Sequence, residues 1–229
     1  MTMNNASGVS CVGIILDGNR RWAKERGLPA FEGHRAGMEA LTEAVRFVRE
    51  SGVKHLVVYA FSTENWNRKP EEVSYLMDIF RESLRKQMQA LGKEGIRIRI
   101  VGQRERFSDD LRQAMDDVEK ETAGNDAFTL WAGLSYGGHA EIVAAARAAA
   151  AAGEELSEES LSKHLWTAGM PDPDIIIRTS GEQRLSGFLS WQSAYSELFF
   201  TDTYWPDFSR EEFDAILAEF AARERRHGK

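Results

Sequence analysis

Two arginines stand six apart in RTSGEQRLSGFLSWQ, residues 178–192: Arg178 and Arg184, followed by Ser186 and an apolar, aromatic run. Guanidinium forks hold a fixed charge and match phosphate oxygens, so the grouping suits a phosphate or diphosphate. A second group lies far off in sequence, in DGNRRWAK: Asp17, Gly18, Asn19, Arg20 and Arg21. Gly18 and Asn19 lead into an expected helix, whose first N–H groups also favour an anion. STENWNR adds Ser62, Glu64, Asn65 and Arg68, and YGGH adds Tyr136, Gly137, Gly138 and His139. Asp17 is the odd member, a carboxylate among cations. Beyond pairing with an arginine, it could hold Mg²⁺ against a diphosphate, since that ion commonly takes one or two carboxylates plus substrate oxygens. Glu197, in AYSELFF, is a second candidate carboxylate.

Each group follows a segment that reads as a strand. CVGIILD (11–17), KHLVVYAF (54–61), AFTLWAGLS (127–135) and DIIIRT (174–179) are short apolar runs, and IRIRIVG (96–102) alternates strictly. ELFF (197–200) is a further short candidate. Between them, Met38, Leu41, Ala44, Val45 and Val48 fall at helical spacing, as do Val73, Leu76, Met77, Phe80, Leu84, Met88 and Leu91 on a long helix over 71–91. Helices are also expected over 108–123, in the Ala-rich EIVAAARAAAAAGEE, over 157–166, and from Ser209 as an N-cap. Strands alternating with helices predict an α/β fold around a mostly parallel sheet. Ligands bind such sheets beyond the carboxyl ends of the strands, which is where the four polar groups fall.

Taken singly, these residues have ordinary uses. An arginine pairs at the surface, Asp17 caps a helix, and His34 and His139 are satisfied loop residues. Neither GxxxxGK[ST] nor GxGxxG occurs, so the usual nucleotide loops are absent. Joint placement at strand ends carries the functional reading. The 229 residues, 42% hydrophobic, predict one domain over 1–229, with 1–9 flexible. A net charge of −7 argues against a nucleic-acid partner. A single cysteine, Cys11, fits a reducing compartment and excludes an internal disulfide. The first ten residues do not resemble a signal peptide, and no apolar run reaches membrane-spanning length. A cytoplasmic protein is expected.

The segments ILDGNRRWAKERGLPAFEGHRAG, YAFSTENWNR, LSYGGHAEI and RTSGEQRLSGFLSWQSAYSELFFTDTYWPDF, with RERRHGK at the end, together resemble the cis-prenyltransferase family, typified by undecaprenyl diphosphate synthase. The resemblance implies a six-stranded, mostly parallel sheet wrapped by helices, with an apolar product tunnel. It implies a homodimer using Mg²⁺, in which an allylic diphosphate such as farnesyl diphosphate is extended by isopentenyl diphosphate with new cis double bonds. The product would be a polyprenyl diphosphate of the cell-wall lipid-carrier type, with peripheral membrane contact for its release.

It also implies roles. Asp17 would bind Mg²⁺ and help the allylic diphosphate leave, with Glu197 as a second magnesium contact. Gly18, Asn19, Arg20, Arg21, Trp22 and Arg68 would contact that diphosphate. Arg178, Arg184 and Ser186 would grip isopentenyl diphosphate. His34, Ser62 and Asn65 would be catalytic, near the reacting atoms and linked to proton transfer, and Trp66 would wall the site. Four positions depart from the pattern: Arg20 for a usual Gly, Ala30 and His139 for usual arginines, and Gly187 for Asn. Arg20 is expected to compensate for Ala30. Small Ala60 leaves the tunnel entrance open, whereas Arg81, Glu82 or Trp131 could shorten it and favour a short, specialised product. A non-catalytic partner subunit would have lost the Asp and the arginine motif, and this chain keeps both.

Overall fold

The computed structural model describes residues 8–223. Six strands form one sheet: β1 (Cys11–Ile15), β2 (His55–Ser62), β3 (Ile96–Val101), β4 (Phe128–Tyr136), β5 (Ile175–Arg178) and β6 (Glu197–Phe200). Their order is β3-β4-β2-β1-β5-β6 and every pairing is parallel, so the mostly parallel expectation becomes an all-parallel sheet. Eight α-helices join them: α1 (Asn19–Glu25), α2 (Ala30–Glu50), α3 (Pro70–Ser83), α4 (Gln89–Lys93), α5 (Asp109–Thr122), α6 (Gly138–Ala151), α7 (Glu158–His164) and α8 (Arg210–Ala222). The long helix expected over 71–91 is α3 and α4 joined through a π-turn over Leu84–Met88, a one-residue irregularity that periodicity does not reveal.

Alternation along the strands sorts the core onto two faces. Val12, Ile14, Leu56, Val58, Ile98, Leu130 and Ile177 point one way, into a cluster with Leu41, Val45 and Val48 of α2, Leu76 and Phe80 of α3, and Phe213 and Leu217 of α8. Cys11, Val57, Tyr59, Trp131 and Ile176 point the other way, against Phe188 and Leu189. Val9 is fully buried in the first cluster, so the N-terminal flexibility expected through residue 9 does not extend to it. Residues 1–7, and RERRHGK apart from Arg223, lie outside the described residues.

In the sheet order the connection leaving β1 runs to one side and the connection leaving its neighbour β5 runs to the other. Crevices at such switch points are where ligands enter open parallel sheets. α1 is seated here by close packing on α2. A Cβ on Gly33 would stand 2.0 Å from the Asn19 carbonyl oxygen, and one on Gly37 would stand 2.4 Å from Asn19 Oδ1. The two glycines, four apart in GHRAG, form a flat strip on α2 that only a hydrogen at each Cα leaves open. At the start of α1, Gly18 adopts φ 106°, and a Cβ there would press on Tyr204 and Ser180.

Candidate active site

At the switch point the two sequence-distant polar groups meet. Arg178 ends β5 and is 5% exposed. Its Nη2 donates to Asp17 Oδ2 at 2.8 Å, and its Nη1 donates to Ser186 Oγ at 2.8 Å and to the Arg184 carbonyl at 2.6 Å. Its Nε is buried with no partner. Asp17 Oδ1 accepts the Gly18 N–H at 2.7 Å and lies 3.4 Å from Arg21 Nη2. Thr179 Oγ1 accepts the Asp17 N–H at 3.0 Å and donates to the Asp17 carbonyl at 2.7 Å. The carboxylate is thus fixed between two guanidinium groups and a backbone turn.

Above this pair opens a cleft of about 580 Å³, lined by Asp17, Asn19, His34, Tyr59, Ala60, Ser62, Asn65, Arg68, Leu76, His139, Arg178, Ser186 and Gly187. A neighbouring hollow of about 730 Å³ lies over α1, lined by Asp17, Gly18, Asn19, Arg20, Arg21, Lys24, Ala30, His34 and Arg68. Asp17, Asn19, His34 and Arg68 border both. Polar groups from four loops therefore surround a double hollow whose inner wall is apolar. Arg20 and Ala30 share the α1 hollow, so Arg20 brings a cation to the neighbourhood from which the usual arginine is missing. Ser62 and Asn65 brace each other at the end of β2: the Ser62 N–H donates to Asn65 Oδ1 at 3.1 Å, and the Ser62 side chain accepts from the Asn65 backbone.

Several expected residues sit elsewhere. Trp22 turns from the cleft, donating Nε1–H to Asp207 Oδ1 at 2.7 Å with Arg26 stacked 4.3 Å over its ring. Trp66 is behind the wall rather than on it. It packs on Phe61 and Phe107 and donates to Ser135 Oγ at 2.8 Å. The Arg184 guanidinium is 60% exposed and pairs with Glu182, so only its carbonyl reaches the centre. Trp131 lies on the sheet face opposite α3, under Arg99, with Nε1 3.4 Å from His55 Nδ1. It cannot plug space between the sheet and α3. Arg81 pairs with Asp78 and Asp110, and Glu82 pairs with Lys86, all at the surface. Leu76, Phe80 and Leu84 belong to the core, with Leu76 alone also reaching the cleft.

Glu197 is also displaced from expectation. It pairs in register with Ile175, at the opposite end of β5 from Arg178, three residues or about 10 Å along the strand. There it binds Arg223 at 2.7 Å. Within one chain, Glu197 and Asp17 cannot share a metal. Among the described residues no cluster of three or more His, Cys, Asp or Glu could hold one. A lone Asp17 still fits Mg²⁺, because that ion completes its shell with waters and substrate phosphate oxygens.

Glu72 was missed. It binds Arg68 at 3.0 Å, His34 Nε2 at 3.6 Å and Arg20 at 3.8 Å. In sequence it reads as an acid in the first turn of a helix, placed there for the macrodipole, and only the fold brings it to two arginines and a histidine. Tyr59 was missed too; as a strand residue it carried no signal, yet its hydroxyl donates towards the carbonyls of Tyr136 and Ser186 at 3.3 and 3.4 Å.

Burial, then Arg68, pushes His34 down to about 4, against the opposing pull of Glu72. His34 is neutral at pH 7. The unfolded chain binds this proton near pH 6.5 and the folded chain only near 4, so stability from His34 is full above 6.5 and is lost as pH falls towards 4. Melting temperatures measured from pH 7 to 4 should fall more steeply for the wild type than for His34→Gln. Parallel curves would show that His34 titrates alike in both states.

Comparison with known proteins places the chain in a family. The family model described as "Putative undecaprenyl diphosphate synthase" matches residues 15–228. An isoprenyl transferase of Neisseria gonorrhoeae is 46% identical over 95% of this chain and 88% of its own. The ditrans,polycis-undecaprenyl-diphosphate synthase ((2E,6E)-farnesyl-diphosphate specific) of Pseudomonas aeruginosa is 46% identical over 95% of this chain and 90% of its own. Among solved structures, lavandulyl diphosphate synthase from Lavandula x intermedia, in complex with dimethylallyl diphosphate, superposes with TM-score 0.92 at 32% identity, covering 97% of this chain and 99% of that one. The chain belongs to the undecaprenyl diphosphate synthase family and is a prenyltransferase.

Proposed function

We propose that the enzyme joins isopentenyl diphosphate to an allylic diphosphate, farnesyl diphosphate foremost, repeating the step with new cis double bonds to build a polyprenyl diphosphate. The observation that carries this reading is the bonded pair of Asp17 and Arg178, set between two cation-rich hollows with an apolar wall at Ala60 and Leu76. Two diphosphates need two cationic sites, and a growing hydrocarbon needs an apolar way out.

The α1 hollow receives the allylic diphosphate against Arg20, Arg21, Arg68 and the backbone at Gly18. Arg178 and Ser186 hold the extender beside it, fixing its double bond near the allylic carbon. When the allylic C–O bond breaks, charge develops on the departing diphosphate, and arginines already in place stabilise it there. Asp17 would hold Mg²⁺, which would supply further neutralisation of that charge. His34 is neutral, so it supplies hydrogen bonding rather than charge. The chain is read as growing between the sheet and α3. With Trp131, Arg81 and Glu82 directed elsewhere, the reasons for a short product are removed.

The enzyme is read as a homodimer. β6 is an edge strand with Leu198 38% and nearby Tyr195 81% exposed, and such edges are normally covered. No helix among the described residues is long and apolar enough to cross a membrane. A cytoplasmic enzyme that meets the membrane peripherally to release a cell-wall carrier lipid accords with that.

Purified protein with farnesyl diphosphate, labelled isopentenyl diphosphate and Mg²⁺ should give a ladder of polyprenyl products on chromatography, lost with a chelator and restored by Mg²⁺. One short product would overturn the polyprenyl assignment. No product from farnesyl, geranyl or dimethylallyl diphosphate would overturn self-sufficient catalysis.

A further inference from the structure

Ser180 is a residue in the left-handed region without being glycine. Its φ is 77° and it is 5% exposed. Glycine holds that backbone without penalty, whereas a serine side chain there is strained. What the serine adds is one hydroxyl, and that hydroxyl has a definite use. Arg21 Nη2 donates to Ser180 Oγ, while Arg21 Nη1 donates to the Ser180 carbonyl at 3.1 Å. Both ends of one guanidinium fork are thus taken by a single residue of the loop after β5.

Arg21 needs such a hold. It is carried by α1, seven residues long with no side-chain N-cap bond, and its other contacts are looser: Asp17 at 3.4 Å, Glu182 at 3.6 Å and the Tyr204 ring at 5.8 Å. The Ser180 backbone is itself fixed, its N–H donating to the Thr203 carbonyl at 2.8 Å. The loop that follows Arg178 and carries Ser186 for the extender therefore also sets the aim of Arg21, which lines the α1 hollow.

We propose that Ser180 is a positioning residue for the allylic diphosphate: its strained hydroxyl orients Arg21, and so links the two diphosphate sites. This rests on the α1 hollow being the allylic site. Ser180→Gly keeps the backbone, relieves the strain and removes the side chain, Cβ and hydroxyl together. Ser180→Ala removes the hydroxyl and keeps the strain. Equilibrium binding of farnesyl diphosphate is measured for wild type, both variants, Arg21→Ala and Arg21→Ala with Ser180→Gly, together with initial-rate kinetics and melting temperatures.

Both single serine variants should weaken farnesyl diphosphate binding about tenfold, the weight of one hydrogen bond to a charged group. The KM for isopentenyl diphosphate should stay within about twofold, since Arg178 and Ser186 keep their bonds. Ser180→Gly should melt above Ser180→Ala, so that affinity falls alike while stability differs. In the Arg21→Ala background, Ser180→Gly should change nothing. If Ser180→Gly binds farnesyl diphosphate as the wild type does, or weakens it equally without Arg21, the inference is overturned. Absence of farnesyl diphosphate binding by the wild type would instead bring down the allylic reading of the hollow, and this inference with it.

Discussion

Asp17→Asn is expected to lower turnover by about 10²–10³-fold while leaving the KM for either diphosphate unchanged or lower. The substitution is close to isosteric. The one oxygen left can accept either the Gly18 N–H, which Oδ1 now takes, or the Arg178 Nη2–H, which Oδ2 now takes, and the amide NH₂ faces the other donor. What goes is one negative charge among cations. Ground-state binding of a diphosphate does not suffer from that loss, because Asp17 competes with the substrate for Arg21 and Arg178. The transition state does suffer, since the carboxylate proposed to hold Mg²⁺ against the leaving group is missing. The signature is a fall in kcat without a rise in KM, with the response to Mg²⁺ flattened. Breaking a buried ion pair typically costs about 3–5 kcal/mol. Asp17 is 29% exposed and one of its two oxygens remains, so the stability loss should stay below that, at about 1–3 kcal/mol. Kinetics at several Mg²⁺ concentrations, beside a thermal melt, check both. A loss below tenfold with the Mg²⁺ response intact would make Asp17 a structural partner of Arg178 and no more.

Much of this site was legible because the fold is an alternation of strands and helices, and such folds carry their polar groups at strand ends. CVGII and DIIIR each mark a buried strand, so the sequence alone places Asp17 and Arg178 at one edge. Their adjacency is a different matter. It depends on β1 lying between β2 and β5, and sheet order leaves no trace in the local pattern of a strand. Orientation was lost for a related reason. Trp22 and Trp66 stand inside the right segments, but a side chain's direction is set by partners such as Asp207 and Ser135, 185 and 69 residues away. Trp131 is the instructive case. Strand parity opposed it to Leu130 and Ala132, yet which face met α3 was decided only by tertiary packing. Glu72 escaped because a carboxylate in a first helical turn already has a sufficient local reason to be there.

Arg178→Lys conserves charge and should still cost about 10²–10³-fold in kcat/KM for isopentenyl diphosphate. The guanidinium serves three partners at once: Asp17, Ser186 Oγ and the Arg184 carbonyl. A lysine ammonium has three donors on a thin, flexible stem and cannot span the same fork geometry. Asp17 is its charged partner and should keep it. Ser186 and the Arg184 carbonyl would then be released. That release matters because Ser186 is held at φ 51°, a conformation that needs surrounding bonds to persist. The loop over 184–187 relaxes, and the extender loses both the guanidinium fork and its shaped wall. The allylic site should be less affected, since Arg20, Arg21 and Arg68 are carried by other elements. Initial rates with each substrate varied in turn distinguish the halves: KM for isopentenyl diphosphate should rise by at least tenfold more than KM for farnesyl diphosphate. Equal rises would mean that Arg178 supports the whole site through Asp17, and that the division of the cleft into an extender half and an allylic half is wrong.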